Sequence, residues 1–259
     1  MNNELALAGV VIKEMYRRKD FYVLFVLTAL ISIVLGSMKF FNDDRIVRYL
    51  KEGCLMLIWV SSLVIAITTA ARQIPAERES RTIFPLLAKP VTRWQLVLGK
   101  FLGCWIACGI ALVVFYFFFG IIISAREHSW PVLVYMQAAG LHWISLGIVV
   151  ALVLLGSVVF TAPSSNATIS FIVVLGIMFC ARHLNGVADH MGGMSGSIVY
   201  VLYFCIPHLE WYDIRDFVVH DWGLVNWGIC ALAALYGLLY CAFLLGLTWL
   251  AFRRKTLTV

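Results

Sequence analysis

Two groups of side chains in this sequence have the chemistry to hold a ligand or move a proton. Met178, Cys180, His183, His190, Met191 and Met194 bring thioether, thiol and imidazole donors into one stretch, and soft sulfur with imidazole is the set that copper(I) selects. Further on, Asp189, His208, Glu210, Asp213, Asp216, His220 and Asp221 are carboxylates and imidazoles that would hold a metal or do acid–base work if folded into a cleft. Each group has a plainer reading. Met and Cys are ordinary apolar helix residues, Gly192 and Gly193 loosen the loop between the donors, and the acidic stretch matches no metal-ligand spacing. His142 lies inside an apolar run, where a neutral imidazole satisfies itself on a neighbouring helix or relays protons. Cys104 and Cys108, four residues apart, share one helix face and read as small packing residues. No phosphate cradle of the form G-x-x-x-x-G-K-[ST] is present: Gly99-Lys100 has Trp94 where the first glycine belongs and Phe101 after it.

The elements that must position these residues are set by composition. Of 259 residues, 62% are hydrophobic and 13% charged, with a mean hydropathy of +0.92. Soluble domains are about one quarter charged, so this chain belongs in a membrane, which excludes a soluble enzyme, a nucleic-acid reader and a disordered tail. Seven cysteines, lying mostly in apolar runs, do not read as a disulfide framework. Met1-Asn2-Asn3-Glu4 lacks the basic start of a cleavable leader.

A charge at mid-bilayer costs several kcal/mol, so charge-free runs mark the spans. The runs predict an all-α protein with six transmembrane helices at about 21–38, 54–71, 101–124, 136–161, 168–182 and 224–252. The fourth and fifth share one long run, broken at Ala162 to Thr168 by proline with Ser and Asn. A short apolar piece, Ile198 to Ile206, rises only about 13 Å as a helix and reads as a re-entrant or surface helix between spans five and six. Thirteen of the 20 Lys and Arg fall on the side of the termini, which predicts both termini in the cytoplasm. Trp130, Tyr135, Tyr200, Tyr203, Trp211, Tyr212, Trp222 and Trp227 read as an aromatic belt at the outer interface.

Two segments on the terminal side look organised. Residues 5–19 place Leu5, Gly9, Ile12 and Tyr16 at helical spacing, with Val11 and Met15 beside them and Lys13, Arg17 and Arg18 on the other side. Such a helix lies along the inner leaflet, or is a basic flank of the first span. The loop 72–100 carries Glu77, Arg78, Glu79 and Arg81, then Ile83, Phe84, Leu86 and Leu87, between Pro75 and Pro90. A helix over 76–89 would offer charges for register and apolar residues to fill a groove on a soluble partner.

These residues resemble the signature of ABC-2 type permeases, the membrane subunits of ATP-binding-cassette transporters. The likeness rests on Glu77, Glu79, Thr82, Ile83, Leu86, Leu87, Pro90, Val91, Thr92, Arg93, Gly99 and Lys100, with Arg81 where the family has glycine. Upstream, Lys13, Glu14 and Arg17 resemble the family's elbow helix, together with Arg18. Downstream, Pro207-His208-Leu209-Glu210-Trp211-Tyr212-Asp213 resembles its Pro-Asn-Leu-Glu-aromatic-Asp stretch.

The resemblance implies one ABC-2 type transmembrane domain over 1–259, multi-pass in the bacterial inner membrane. It implies a dimer with a second copy or a related permease, and two ATPase subunits that bind ATP and Mg and dock through Glu77, Arg78, Glu79, Arg81, Thr82, Phe84, Leu87, Pro90 and Arg93. The chain itself is then not an enzyme, binds no nucleic acid, and leans towards export of an unidentified substrate. Gly99, Gly103 and Gly109 on span three offer a small-residue face for close helix packing in such a dimer. The alternative is a membrane-embedded metal-handling protein or enzyme using the outer His, Met, Cys and acidic residues.

Overall fold

A computed structural model describes residues 3–17, 19–37, 44–79, 92–127, 130–190 and 194–254, and all regular structure among them is helical. In chain order the helices are α1 (Asn3–Arg17), α2 (Lys19–Ser37), α3 (Asp44–Ala71), α4 (Pro75–Glu79), α5 (Arg93–Glu127), α6 (Val132–Val159), α7 (Pro163–His190), α8 (Met194–Cys205), α9 (Arg215–Val219) and α10 (Trp227–Arg254). A 3-10 turn, Leu209–Tyr212, lies between α8 and α9.

Helices α3, α5 and α6 form the centre and pack on one another. Charge-free α6 supplies the deepest stretch: Val150, Ala151 and Val153 are wholly buried. Around this centre, α1 lies on α5, α10 on α6 and α5, α2 on α3 and α5, α7 on α3 and α6, and α8 on α7. Among the described residues, four helical stretches are long and apolar enough to cross a membrane: Val47–Glu77, Arg93–Glu127, Val132–Val159 and Trp227–Arg253. Shorter apolar stretches occur at Phe25–Val34, Pro163–Phe179 and Gly196–Cys205. Only 28% of the most apolar window of α10 is buried, so most of its surface is left for lipid or another chain.

Helix ends fall where local chemistry puts them. The break expected at Ala162 to Thr168 is shorter, because Pro163 is the first residue of α7. Proline suits that position: its missing N–H would have had no helical partner and its fixed φ is already helical. Asn166, in the first turn, is wholly buried, and its Nδ2 donates to Ala71 O at 3.3 Å and Val153 O at 3.2 Å. It thereby satisfies the last carbonyl of α3, which has no helical donor of its own. Ser170 Oγ donates to Asn166 Oδ1 at 3.2 Å. A Cβ on Gly156 would stand 2.3 Å from that oxygen, so only glycine lets the side chain lie there.

The glycines expected to serve a dimer are occupied within the chain. A Cβ on Gly99 would meet Leu7 Cβ at 2.8 Å, and one on Gly103 would meet Val11 Cβ at 2.7 Å. The groove they make in α5 is filled by α1, whose buried face is Ala8, Val11 and Met15. That face is rotated from the expected Leu5–Gly9–Ile12–Tyr16 stripe, and Leu5 is exposed. Lys13, Glu14 and Arg17 face solvent, while Arg18 lies outside the described residues. The indole of Trp143 covers Gly109 and that of Trp105 covers Gly147.

At the end of the bundle away from α1, α3 begins at Asp44 rather than near 54. Lys51, expected in a watery loop, is fully buried. Its Nζ lies 2.7 Å from Glu127 Oε1 and 2.9 and 3.0 Å from the Asp221 carboxylate oxygens. Two counter-charges let the cation sit inside a helix, so the charge-free-run rule cut this helix short. Asp221 reaches Lys51 from a left-handed backbone (φ 54°), with Gly223 also at positive φ, a region that Asp tolerates better than most residues. Tyr135 and Tyr212 are likewise buried in the bundle rather than at its rim, whereas Trp130, Trp211, Trp222 and Trp227 are exposed as the belt requires.

Candidate functional site

The first candidate site is the junction where the 72–100 loop meets the bundle. Residues 80–91 lie outside the described residues, and with them Arg81, Thr82, Phe84, Leu87 and Pro90; of Arg78 and Glu79 only the backbone, in α4, is described. Both edges of the loop are anchored. On entry, Glu77 in α4 forms an ion pair with Lys100 of α5, both side chains largely buried. On exit, Thr92 and Gln95 form a reciprocal N-terminal cap of α5: Gln95 N donates to Thr92 Oγ1 at 3.3 Å and Thr92 N to Gln95 Oε1 at 3.0 Å.

Arg93 then reaches across to the last turn of α10. Its Nη1 donates to Phe252 O at 2.8 Å and Arg253 O at 3.0 Å, and the guanidinium lies 5.4 Å from the Phe252 ring centre. A cation on the terminal carbonyls of a helix is favourable for both hydrogen bonding and dipole. Thus Glu77 and Arg93, expected to face a partner, have contacts inside the chain. Sequence reasoning had a signal for this in Lys100, a cation about two turns into an apolar helix that needs a counter-charge.

The second candidate site is the Pro207–Asp213 segment at the opposite end. Leu209 and Tyr212 of the 3-10 turn are buried, and Tyr212 Oη donates to Ala233 O at 2.9 Å. Burial pushes the Tyr212 phenol up from its ordinary pKa. His208 is buried between Tyr203 and Trp211, with ring centroids at 4.4 and 5.0 Å. Asp213 receives two 2.7 Å bonds from Nε and an Nη of Arg215, and these bonds raise the guanidinium pKa further. Arg215 lies 5.5 Å from the Trp59 ring centre, Trp59 stacks on His142 at 4.7 Å, and His142 Nε2 is 3.0 Å from Ser62 Oγ. This chain of contacts ties the segment to α3 and α6. A cavity of about 280 Å³ lies beside it, lined by Trp59, Met178, Phe179, Leu209, Glu210, Asp213 and Arg215.

Among the described residues, those with metal-binding chemistry do not converge: there is no group of three or more His, Cys, Asp or Glu placed to hold a metal ion. Met178 lines the cavity and His190 is exposed, whereas the side chains of Cys180, His183, Asp189, Met191 and Met194 lie outside the described residues. Asp221 is taken up by Lys51, and His220 stacks on Trp222 at 5.1 Å. Cys104 and Cys108 are fully buried packing residues.

Apolar helices of spanning length packed around a buried centre define a multi-span membrane protein. Residues 34–257 match the family model described as ABC-2 family transporter protein, and the chain belongs to that family. No curated protein matches it.

Proposed function

We propose that this chain is the permease subunit of an ABC exporter, crossing the bacterial inner membrane six times with both termini in the cytoplasm. A separate ATPase pair drives it through the 72–100 loop, and a second copy, or a related permease, completes the pathway. ATP and Mg belong to the ATPase in this reading. Length supports the count of six. The 19 residues of α2 and 28 of α7 rise about 28 and 42 Å, enough for the hydrocarbon core, whereas the 12 of α8 rise about 18 Å and do not span.

The observation that carries the reading is the double anchorage of the loop. Glu77 ties its entry to α5, and Arg93 ties its exit to α10, so a displacement of residues 80–91 by a partner is passed to two long helices at once. A loose connector would absorb the push.

The test is co-expression with candidate ABC ATPases from the same genome, followed by purification and reconstitution. The ATPase is expected to co-purify, two permease copies to appear in native mass spectrometry, and hydrolysis to respond to the permease. A Phe84→Ala, Leu87→Ala double variant is expected to release the ATPase or uncouple hydrolysis without loss of bundle stability, because buried aromatic and Leu anchors dominate helix-in-groove affinity. Unchanged binding and coupling would overturn the docking site. Failure to capture any ABC ATPase would overturn the permease reading.

A further inference from the structure

We propose that the cavity between α3, α7 and the 3-10 turn binds a protonated amine carried on an apolar body. The walls divide into two parts. Trp59, Met178, Phe179 and Leu209 make the apolar part, and Phe179 is 73% exposed on α7, so the rim opens towards the bundle surface where an apolar tail continues outward. A volume of about 280 Å³ is at the low end for ligand cavities; it holds a head group and the first part of a chain.

The polar part has one carboxylate oxygen without a hydrogen-bond partner. Arg215 and Asp213 neutralise each other through their two-pronged bond, and the Arg215 cation is further engaged by Trp59. Glu210 differs: its Oε2 is buried with no hydrogen-bond partner. His208 Nδ1 stands 3.7 Å from the other oxygen, within ion-pair distance when the imidazole is protonated but outside hydrogen-bond reach, and makes no hydrogen bond. A buried carboxylate oxygen left unpaired is costly, and what satisfies it is a donor with positive charge. The Glu210 carboxylate repels an anion, and an alcohol supplies a weaker donor than an ammonium group. The amine can come from a phospholipid with a primary-amine head or from a free long-chain amine.

The test uses the purified full chain in a neutral detergent and measures equilibrium binding of three twelve-carbon probes: dodecylamine, dodecanol and dodecyl sulfate. Dodecylamine is expected to saturate one site about tenfold or more tighter than dodecanol, with no saturable binding of dodecyl sulfate. Glu210→Gln is expected to remove that advantage, Met178→Trp to block the site by filling it, and Leu235→Ala on the exposed side of α10 to change nothing. In nanodiscs, competition by phosphatidylethanolamine but not phosphatidylglycerol assigns the site to a lipid head. No competition by either assigns it to a free amine. Equal binding of dodecyl sulfate and dodecylamine overturns the proposal, and so does wild-type dodecylamine affinity in a Glu210→Gln variant that melts as the wild type does. If that variant does not fold, the probe series on the unaltered chain decides. No ATPase is present in this assay, so the result stands or fails apart from the permease reading.

Discussion

Trp105 on α5 and Trp143 on α6 each donate an indole N–H to the backbone carbonyl of the other, both at 2.8 Å, with the rings stacked 4.6 Å apart. The exchange is possible because each ring lies over the glycine four residues beyond the other tryptophan. A Cβ on Gly109 would be 2.6 Å from Trp143 Nε1, and one on Gly147 would be 2.9 Å from Trp105 Nε1. Small residues admit the rings, and the rings join the two helices of the α5–α6 hairpin.

Trp105→Phe keeps most of the ring and loses one N–H, so it is expected to destabilise by about 0.5–1.5 kcal/mol. Gly147→Ala drives the Trp105 ring out and is expected to cost about 1–3 kcal/mol. The two act on the same contact, so the double variant should cost less than their sum. Reversible unfolding in mixed micelles measures all three; strict additivity would show that the ring and the glycine are independent.

For the Glu77–Lys100 pair, Glu77→Gln is expected to cost about 3–5 kcal/mol, since it leaves the Lys100 ammonium buried without this counter-charge. Glu77→Arg sets two cations against each other and should fail at the level of folding, before any partner is involved. Thermal melting of the chain alone separates this from a docking defect: Phe84→Ala should melt as the wild type does.

Asn166→Ala removes the amide that serves the end of α3 and Val153 O within α6, with an expected loss of about 1–3 kcal/mol. Gly156→Ala should reproduce most of that loss by displacing the same side chain. Hydrogen exchange is the discriminating measurement, and faster exchange near residues 70–74 and 153–160 in both variants is the expected result.

Lys51 should respond asymmetrically. Lys51→Met leaves Glu127 and Asp221, which are 21% and 60% exposed, able to turn to water, so the change is expected to lie within about 1 kcal/mol of neutral. A Glu127→Gln, Asp221→Asn double variant strands a fully buried ammonium group and is expected to cost about 3–5 kcal/mol. Each single change leaves one counter-charge and should cost far less than half of the double. Denaturation midpoints of the four variants test this.

The sequence showed the apolar helices and the short helix after the fifth apolar run because those features follow from composition along the chain. It hid what depends on a partner far away in the chain. Lys51 read as a loop cation because nothing near it in sequence announces Glu127 or Asp221. Pro163 read as the middle of a turn, since proline punctuates both turns and helix starts and only the neighbouring helix ends distinguish them. Gly99 and Gly103 announced a close contact without saying with what, and α1 proved to be the answer. Glu77 and Arg93 looked outward because their family motif lies in a loop, while Lys100 and the end of α10 turned them inward. The sequence offered Met178, Glu210 and Asp213 in two separate groups, and the cavity that joins them was not legible: it is assembled from α3, α7 and the 3-10 turn, and no one of these contains it.

The Lys51 clasp also sets an order on biosynthesis. Asp221 lies 170 residues beyond Lys51, which at about 5–20 residues per second is a delay on the order of ten to thirty seconds during translation. Through that interval the lysine has Glu127 as its one counter-ion from this clasp, and before α5 emerges it has neither. A charge that must wait in or beside the bilayer is held at the interface by its long side chain. The start of α3 therefore settles to its final depth only when the last third of the chain arrives, and ribosome-stalled chains ending before residue 221 should leave Lys51 open to water-soluble amine reagents that the finished protein excludes.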